Sequence, residues 1–271
     1  MRRVRQLSAL LEQFHEHGWV RLEGAVDAQA AAEMCEAVWN GLADVGIMRD
    51  DPSTWNEERP SRLQRLRDHP AFLAVGSQAV LAAIDAIMQG QAYEAPKNWG
   101  SLFLAFPTEV VWQIPVRGWH IDAKYTSPLV PPRGVKTLAL LDDVAPRSGG
   151  TLIVSGSHRL VHRWFERNPP PVEARSADMR RLLMAHPYLR DLQSDGDSEQ
   201  RIARFMGRVE ADEDIPLQIV ELTGAAGDVF LLHALTMHAA APNAGTAPRF
   251  LLSGGITTDL WGWDEPQRSA A

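Results

Sequence analysis

The chain has 271 residues, is 45% hydrophobic, and carries a formal net charge of −7 with a pI near 5.7. That length and apolar content suffice for one large buried core, and the acidic balance leaves no electrostatic footprint for a nucleic-acid backbone, so no nucleic-acid partner is expected. Cys35 is the single cysteine, which excludes an intramolecular disulfide and a cysteine-rich zinc site.

In chain order, apolar residues recur at helical spacing from Val4 to Phe14, Gly18 breaks the pattern, and Trp19 to Leu22 reads as a short strand. Asp27 can cap a second helix through Met34, Val38 and Leu42, with Cys35 at a buried position on it. The polar stretch from Asp50 to Pro60 reads as a loop, and Gln78 to Met88 as a third helix. Strand-like segments follow: Leu102–Phe106, Val110–Pro115, Gly118–Asp122, Val135–Val144, Thr151–Val154, Leu217–Leu222, Val229–Leu232, His238–Ala241 and Arg249–Thr257. This spacing suits a mostly β fold with flanking helices, a double-stranded β-helix (jelly roll, cupin-like). The expected organisation is one domain over residues 1–271: a helical N-terminal part (1–98), a jelly-roll core (99–257), and a helical insertion (159–215) within it. Between Arg159 and Arg190 that insertion holds seven arginines against Glu166, Glu173 and Asp178, a composition that suits an Arg-lined lid. No internal repeat and no secretory or membrane-spanning segment is evident, so no membrane partner and a cytoplasmic setting are expected.

The chemistry concentrates at His120-Ile121-Asp122 and at His238, which closes the run Asp228 to Leu232 and the segment after it. Two imidazoles and one carboxylate are the ligand set that leaves half of an octahedral Fe(II) free for a co-substrate and O2. The spacing of two residues puts His120 and Asp122 on one face only if the segment is extended. Arg249 heads a further apolar strand and offers a planar fork for a carboxylate. His233 fits a core position or one that orients a ligand, and His158 a structural place in a turn.

Four segments in this order resemble the phytanoyl-CoA dioxygenase-like family of Fe(II)/2-oxoglutarate oxygenases: Phe14 to Val20, Trp119 to Asp122, Ser148 to His158, and Gly227 through Arg249. The resemblance implies His120, Asp122 and His238 as iron ligands and catalytic residues, with Arg249 on the C5 carboxylate of 2-oxoglutarate. The serine that relatives often carry two residues after the second His is Ala240 here, and a pocket Trp of some relatives falls near Leu138. Gln113 and Thr137 are the polar candidates for the rest of the co-substrate site, and Lys124, Tyr125 and Trp119 for the substrate pocket. Asp122 argues against halogenation; Gly255 and Leu251 stand where the nucleic-acid demethylase and plant oxidase branches carry Arg and Ser. The expected function is hydroxylation of a small molecule with release of succinate and CO2. Two other readings of the same residues stay open: a cupin-type dioxygenase without co-substrate, and a non-catalytic metal-binding jelly-roll module.

Overall fold

A computed structural model describes residues 2–55, 61–94, 96–122, 128–169 and 176–258. Its N-terminal part is α1 (Arg2–His17), β1 (Trp19–Leu22), α2 (Ala28–Ala43), 3₁₀ turns at Pro52–Thr54, Ser61–Asp68 and Pro70–Gly76, and α3 (Gln78–Ile87). The cap expected from sequence is present, the Asp27 carboxylate accepting from the Ala30 amide at 3.0 Å; Ser77 Oγ likewise accepts from the Val80 amide at 3.3 Å and caps α3. Gly18 ends α1 with φ +78°, and a Cβ there would lie 2.4 Å from His158 Nδ1, so the sharp turn into β1 needs glycine twice over.

The strands that follow are β2 (Ser101–Ala105), β3 (Gly134–Leu140), β4 (Thr151–Ser155), β5 (Glu210–Asp212), β6 (Ile215–Leu222), β7 (Val229–His233), β8 (His238–Ala240) and β9 (Arg249–Thr257). They form two antiparallel sheets, ordered β1-β7-β3-β9-β2 and β5-β6-β4-β8. Side chains alternate faces along each strand, and this alternation sorts the apolar residues into three layers. Val135, Ala139, Val229, Leu231, Phe250 and Leu252 pack against α1–α3. Leu138, Leu140, Phe230, Leu232 and Leu251 meet Ile153 and Leu222 of the second sheet, so this layer lies between the sheets. Leu152, Val154, Leu217, Ile219 and Ala239 pack on the far side against α4 (Ser157–Arg167), α5 (Ser176–Leu183), α6 (Pro187–Leu192) and α7 (Ser198–Phe205). Helices therefore cover both outer faces.

Two expectations need correction. Val110–Pro115 and Gly118–Asp122 are not strands: Pro107 and Pro115 lack amide donors, Gly118 turns at φ +84°, and only His120 pairs, through a single bridge to His238. Residues Glu210–Asp212, assigned to the insertion, form an edge strand on β6, reached through a turn with Glu213 at φ +54°. The described insertion helices spend their apolar faces on the outside of the second sheet. Their arginines face their own acids: Arg163 reaches Glu213 at 2.6 Å and Asp214 at 2.8 Å, Arg159 reaches Asp214 at 3.1 Å, and Arg167 reaches Glu213 at 2.5 Å. The described helices form a cladding layer on the outside of the second sheet. Buried Arg201 ties the layer together, donating to the carbonyls of Ser194 at 2.6 Å and Leu192 at 2.8 Å beyond and at the end of α6.

Among the described residues no single helix is long and apolar enough to cross a membrane. One buried charge pins the first sheet. Asp228, 2% exposed, takes Arg21 Nη2 at 2.6 Å and Nε at 3.0 Å, and the amides of Gly24 and Ala225 at 2.8 Å each. It joins the end of β1 to the turn that opens β7. Asp228→Ala removes hydrogen bonds to a buried carboxylate but leaves Arg21 partly solvated, so it should lower the unfolding free energy by about 1.5–3 kcal/mol in urea titration; a loss under about 0.5 kcal/mol would show that the pair does not hold β1 in place.

Candidate metal centre

The two histidines meet through their backbones. His120 and His238 exchange both N–H···O=C bonds, each 3.0 Å, as directly opposed antiparallel residues do. Their rings lie side by side, centroids 4.2 Å apart. The Asp122 amide donates to the Ala234 carbonyl at 3.2 Å, so the segment is held at two points and the carboxylate returns to the same face as His120. Asp122 Oδ1 is 3.6 Å from His120 Nε2, and Oδ2 is 3.4 Å from His238 Nε2. One donor atom from each of the three lies within 4.8 Å of the others.

Each imidazole uses its other nitrogen on a main-chain carbonyl. His120 Nδ1 lies 2.8 Å from Gly118 O, and His238 Nδ1 2.9 Å from Thr236 O. A carbonyl only accepts, so both Nδ1 atoms carry the proton and both Nε2 lone pairs point at the carboxylate side. This is the tautomer a divalent metal requires, and the donor set of two neutral nitrogens and one carboxylate fits iron. The cluster is buried on the His238 side, while the His120 side chain is about half exposed. Desolvation and the neighbouring His238 imidazole lower the His120 pKa to about 4. Burial opposes ionisation of Asp122, but His238 and Lys136 outweigh it and hold the carboxyl well below the usual carboxylate range. At neutral pH His120 is thus neutral and Asp122 ionised, the charge states in which each can bind a metal.

Lys136 on β3 was not singled out by sequence. Its ammonium contacts Asp122 Oδ2 directly, with the side chain only 14% exposed. The one available signal was parity: Lys136 shares a strand face with Leu138 and Leu140, the face turned to the second sheet.

Arg249 lies on the same inner layer, at the end of β9. It is 5% exposed and borders a space with Leu138, Leu140, Phe230 and Leu251. Its Nε donates to Gly149 O at 2.8 Å and Nη1 to Phe103 O at 3.2 Å, which fixes the guanidinium plane. Thr137 is a correction: it faces the opposite way, on the side of β3 where Val135 and Ala139 meet the N-terminal helices. Trp119 is a second correction. It is fully buried among Ile114, Leu160 and other residues of the cladding layer, with its indole N–H on Pro115 O at 2.7 Å, and lines no space formed by the described residues. Gln113 is exposed, between the buried Trp112 and Ile114. Lys124 and Tyr125 lie outside the described residues.

His233 faces the helical side with Val135, where Nδ1 accepts from the Leu235 amide at 3.1 Å and burial lowers its pKa to about 4. It shapes the loop that leads to His238 and does not touch the cluster's ligand set. Thr236 in that loop donates its hydroxyl to Gly18 O at 2.8 Å, and Ser157 Oγ accepts from the Met237 amide at 2.8 Å. His158, expected in a turn, is buried in the first turn of α4, with Nε2 3.0 Å from His15 O.

Three comparisons place this geometry. AviO1 from Streptomyces viridochromogenes Tue57 shares the fold with a TM-score of 0.53 at 18% identity, covering 94% of this chain and 96% of that one. The epimerase SnoN from nogalamycin biosynthesis, in complex with Fe3+, alpha ketoglutarate and nogalamycin RO, gives 0.52 at 20% identity, covering 99% and 93%. HygX from Streptomyces hygroscopicus, with nickel and 2-oxoglutarate bound, gives 0.53 at 17% identity, covering 93% and 87%. No curated protein sequence matches significantly. The model of the phytanoyl-CoA dioxygenase (PhyH) family matches residues 14–251, from the end of α1 into β9, and the chain belongs to that family.

Proposed function

We propose that this protein is an Fe(II)- and 2-oxoglutarate-dependent oxygenase of a small molecule, built as one domain on a jelly-roll core and working in the cytoplasm. The observation that carries the reading is the tautomeric arrangement: two imidazoles with Nδ1 spent on backbone carbonyls and both Nε2 atoms turned to one carboxylate. Family membership supports it, as do the iron, nickel and keto-acid ligands of SnoN and HygX on the same fold.

In this reading His120, Asp122 and His238 bind the metal, and Arg249 anchors the far carboxylate of 2-oxoglutarate in the space between the sheets. Bound iron and keto acid would supply an oxidant from O2, with succinate and CO2 as co-products and a substrate C–H bond as the target, hydroxylation being the expected outcome. The residues of this chain bind, orient and exclude water. Gly118 O and Thr236 O hold the two rings in one orientation. Lys136 steadies the Asp122 oxygen that faces His238. Leu138, Phe230 and Leu251 keep the carboxylate-binding end dry, which strengthens a charged contact made there.

Each of His120→Ala, Asp122→Ala and His238→Ala should abolish succinate release that depends on Fe(II) and 2-oxoglutarate, with the circular dichroism spectrum unchanged. Near wild-type turnover in any one of them would remove that residue from the ligand set. Losing a charge-assisted buried contact costs roughly 2–5 kcal/mol, so Arg249→Ala should weaken 2-oxoglutarate by ~30-fold or more, and Arg249→Lys should recover part. An unchanged KM for 2-oxoglutarate in a folded Arg249→Ala protein would place the anchor elsewhere.

A further inference from the structure

Away from the metal cluster three more histidines meet. His15 near the end of α1, His158 in the first turn of α4 and His233 at the end of β7 line a cavity of about 100 Å³, together with Phe14, Leu129, Val130 and Arg159. None of these residues belongs to the metal cluster or borders the space beside Arg249. Three buried ring nitrogens here, His15 Nε2, His158 Nδ1 and His233 Nε2, have no hydrogen-bond partner among the described residues. His158 and His233 are 2% and 1% exposed, so bulk solvent does not serve them. Buried polar atoms left unpaired are rare, and several around one cavity mark a place for an occupant.

The bonds each ring already makes fix what its free nitrogen offers. Burial lowers both pKa values, that of His233 to about 4, so at neutral pH His158 and His233 each carry one ring proton. His158 Nε2 lies 3.0 Å from the His15 carbonyl, which only accepts, so the proton is there and Nδ1 presents a bare lone pair. In His233 it is Nδ1 that accepts, from the Leu235 amide, so Nε2 carries the proton and is a donor. The carbonyls of Pro128 and Leu129 are near that ring, and neither closes a hydrogen bond to its Nε2. The two ring centroids are 5.2 Å apart, close enough for one atom to bridge their edges through two hydrogen bonds of ~2.9 Å.

One donor and one acceptor select the chemistry of an occupant. A metal ion needs lone pairs, but His233 presents a hydrogen, and among the described residues these nitrogens are not gathered closely enough to share an ion. An anion would face the His158 lone pair, and Arg159 Nη2 is turned to Asp214 at 3.1 Å. A neutral hydroxyl donates to one ring and accepts from the other with a single oxygen. Phe14, Leu129 and Val130 supply an apolar wall for a short chain. An apolar cavity of ~150 Å³ takes the six carbons of benzene, so this one holds about four non-hydrogen atoms. We propose that the cavity is a binding site for a short aliphatic alcohol, its hydroxyl bridging His158 Nδ1 and His233 Nε2 and its chain lying on Phe14, Leu129 and Val130.

The test is titration of the full-length protein, its histidine rings labelled with nitrogen-15, with 2-propanol and separately with acetone, read by NMR. The ring signals of His158 and His233 should move with 2-propanol, with a dissociation constant on the order of 1 mM, within reach of four non-hydrogen atoms. Acetone has the same shape and no donor, leaves the His158 lone pair unmet, and should bind at least about 5-fold more weakly. His158→Phe should bring the two probes within about 2-fold of each other, since the acceptor that separates them is gone. Val130 is 49% exposed, so Val130→Trp can fill the cavity from its rim without disturbing the core, and it should abolish the shifts. It carries the test if His158→Phe fails to fold. Signals of His158 and His233 that stay unmoved well beyond the millimolar range would mean water only in the cavity and would overturn the inference. Equal affinity of the wild type for 2-propanol and acetone, or shifts that persist in Val130→Trp, would overturn it as well.

Discussion

Everything at the centre depends on one pair of backbone hydrogen bonds. His120 and His238 are far apart in sequence, and their reciprocal N–H···O=C bonds, each 3.0 Å, set two imidazoles on the same side of a two-residue ladder. A slip of one residue would turn one ring to the opposite face and leave a single histidine beside Asp122. Among the described residues the segment carrying His120 has no other strand pairing, so its register is fixed by neighbours instead. Trp119 is anchored in the cladding layer, and the Asp122 amide is tied to Ala234 O. From the other side, Thr236 is held by Gly18 and Met237 by Ser157. The turn at Gly18 and the start of α4 thereby act on the position of His238 without touching it.

The layering explains where ligands can bind. The N-terminal helices cover the outside of the first sheet and α4–α7 the outside of the second, so the inner faces of the two sheets look at one another. Lys136, Thr151, His238 and Arg249 reach this layer from four strands, beside Leu and Phe side chains. A few polar contacts on a rigid apolar wall orient a small molecule.

Much of this was legible from residues alone. Helical periodicity, with Asp27 as the cap of α2, gave α2 and α3 close to their observed bounds, and the His-x-Asp pair with a distant His gave the three residues that meet. What failed did so for identifiable reasons. β3 and β7 are apolar on both faces, so alternation carries no mark of which face is inner; Thr137 was assigned to the wrong side and Lys136 went unnoticed. Trp119 adjoins a ligand in sequence but points the other way, as neighbours in an extended chain do. Arg159, Arg163 and Arg167 of the insertion pair with Glu213 and Asp214, which lie outside the stretch from Arg159 to Arg190 whose charges were weighed. The edge strand β5 is short and polar, with no signal beyond the turn that follows it.

The central claim is that His120, Asp122 and His238 form one metal centre. It is tested most directly by anomalous diffraction at the iron edge from crystals grown anaerobically with Fe(II). The account predicts a single strong peak about 2.0–2.2 Å from His120 Nε2, His238 Nε2 and one Asp122 oxygen, with both Nδ1 atoms still on their carbonyls. A map without a peak there, or with iron held elsewhere while these three side chains hold no ion and Asp122 stays paired with Lys136, would contradict it.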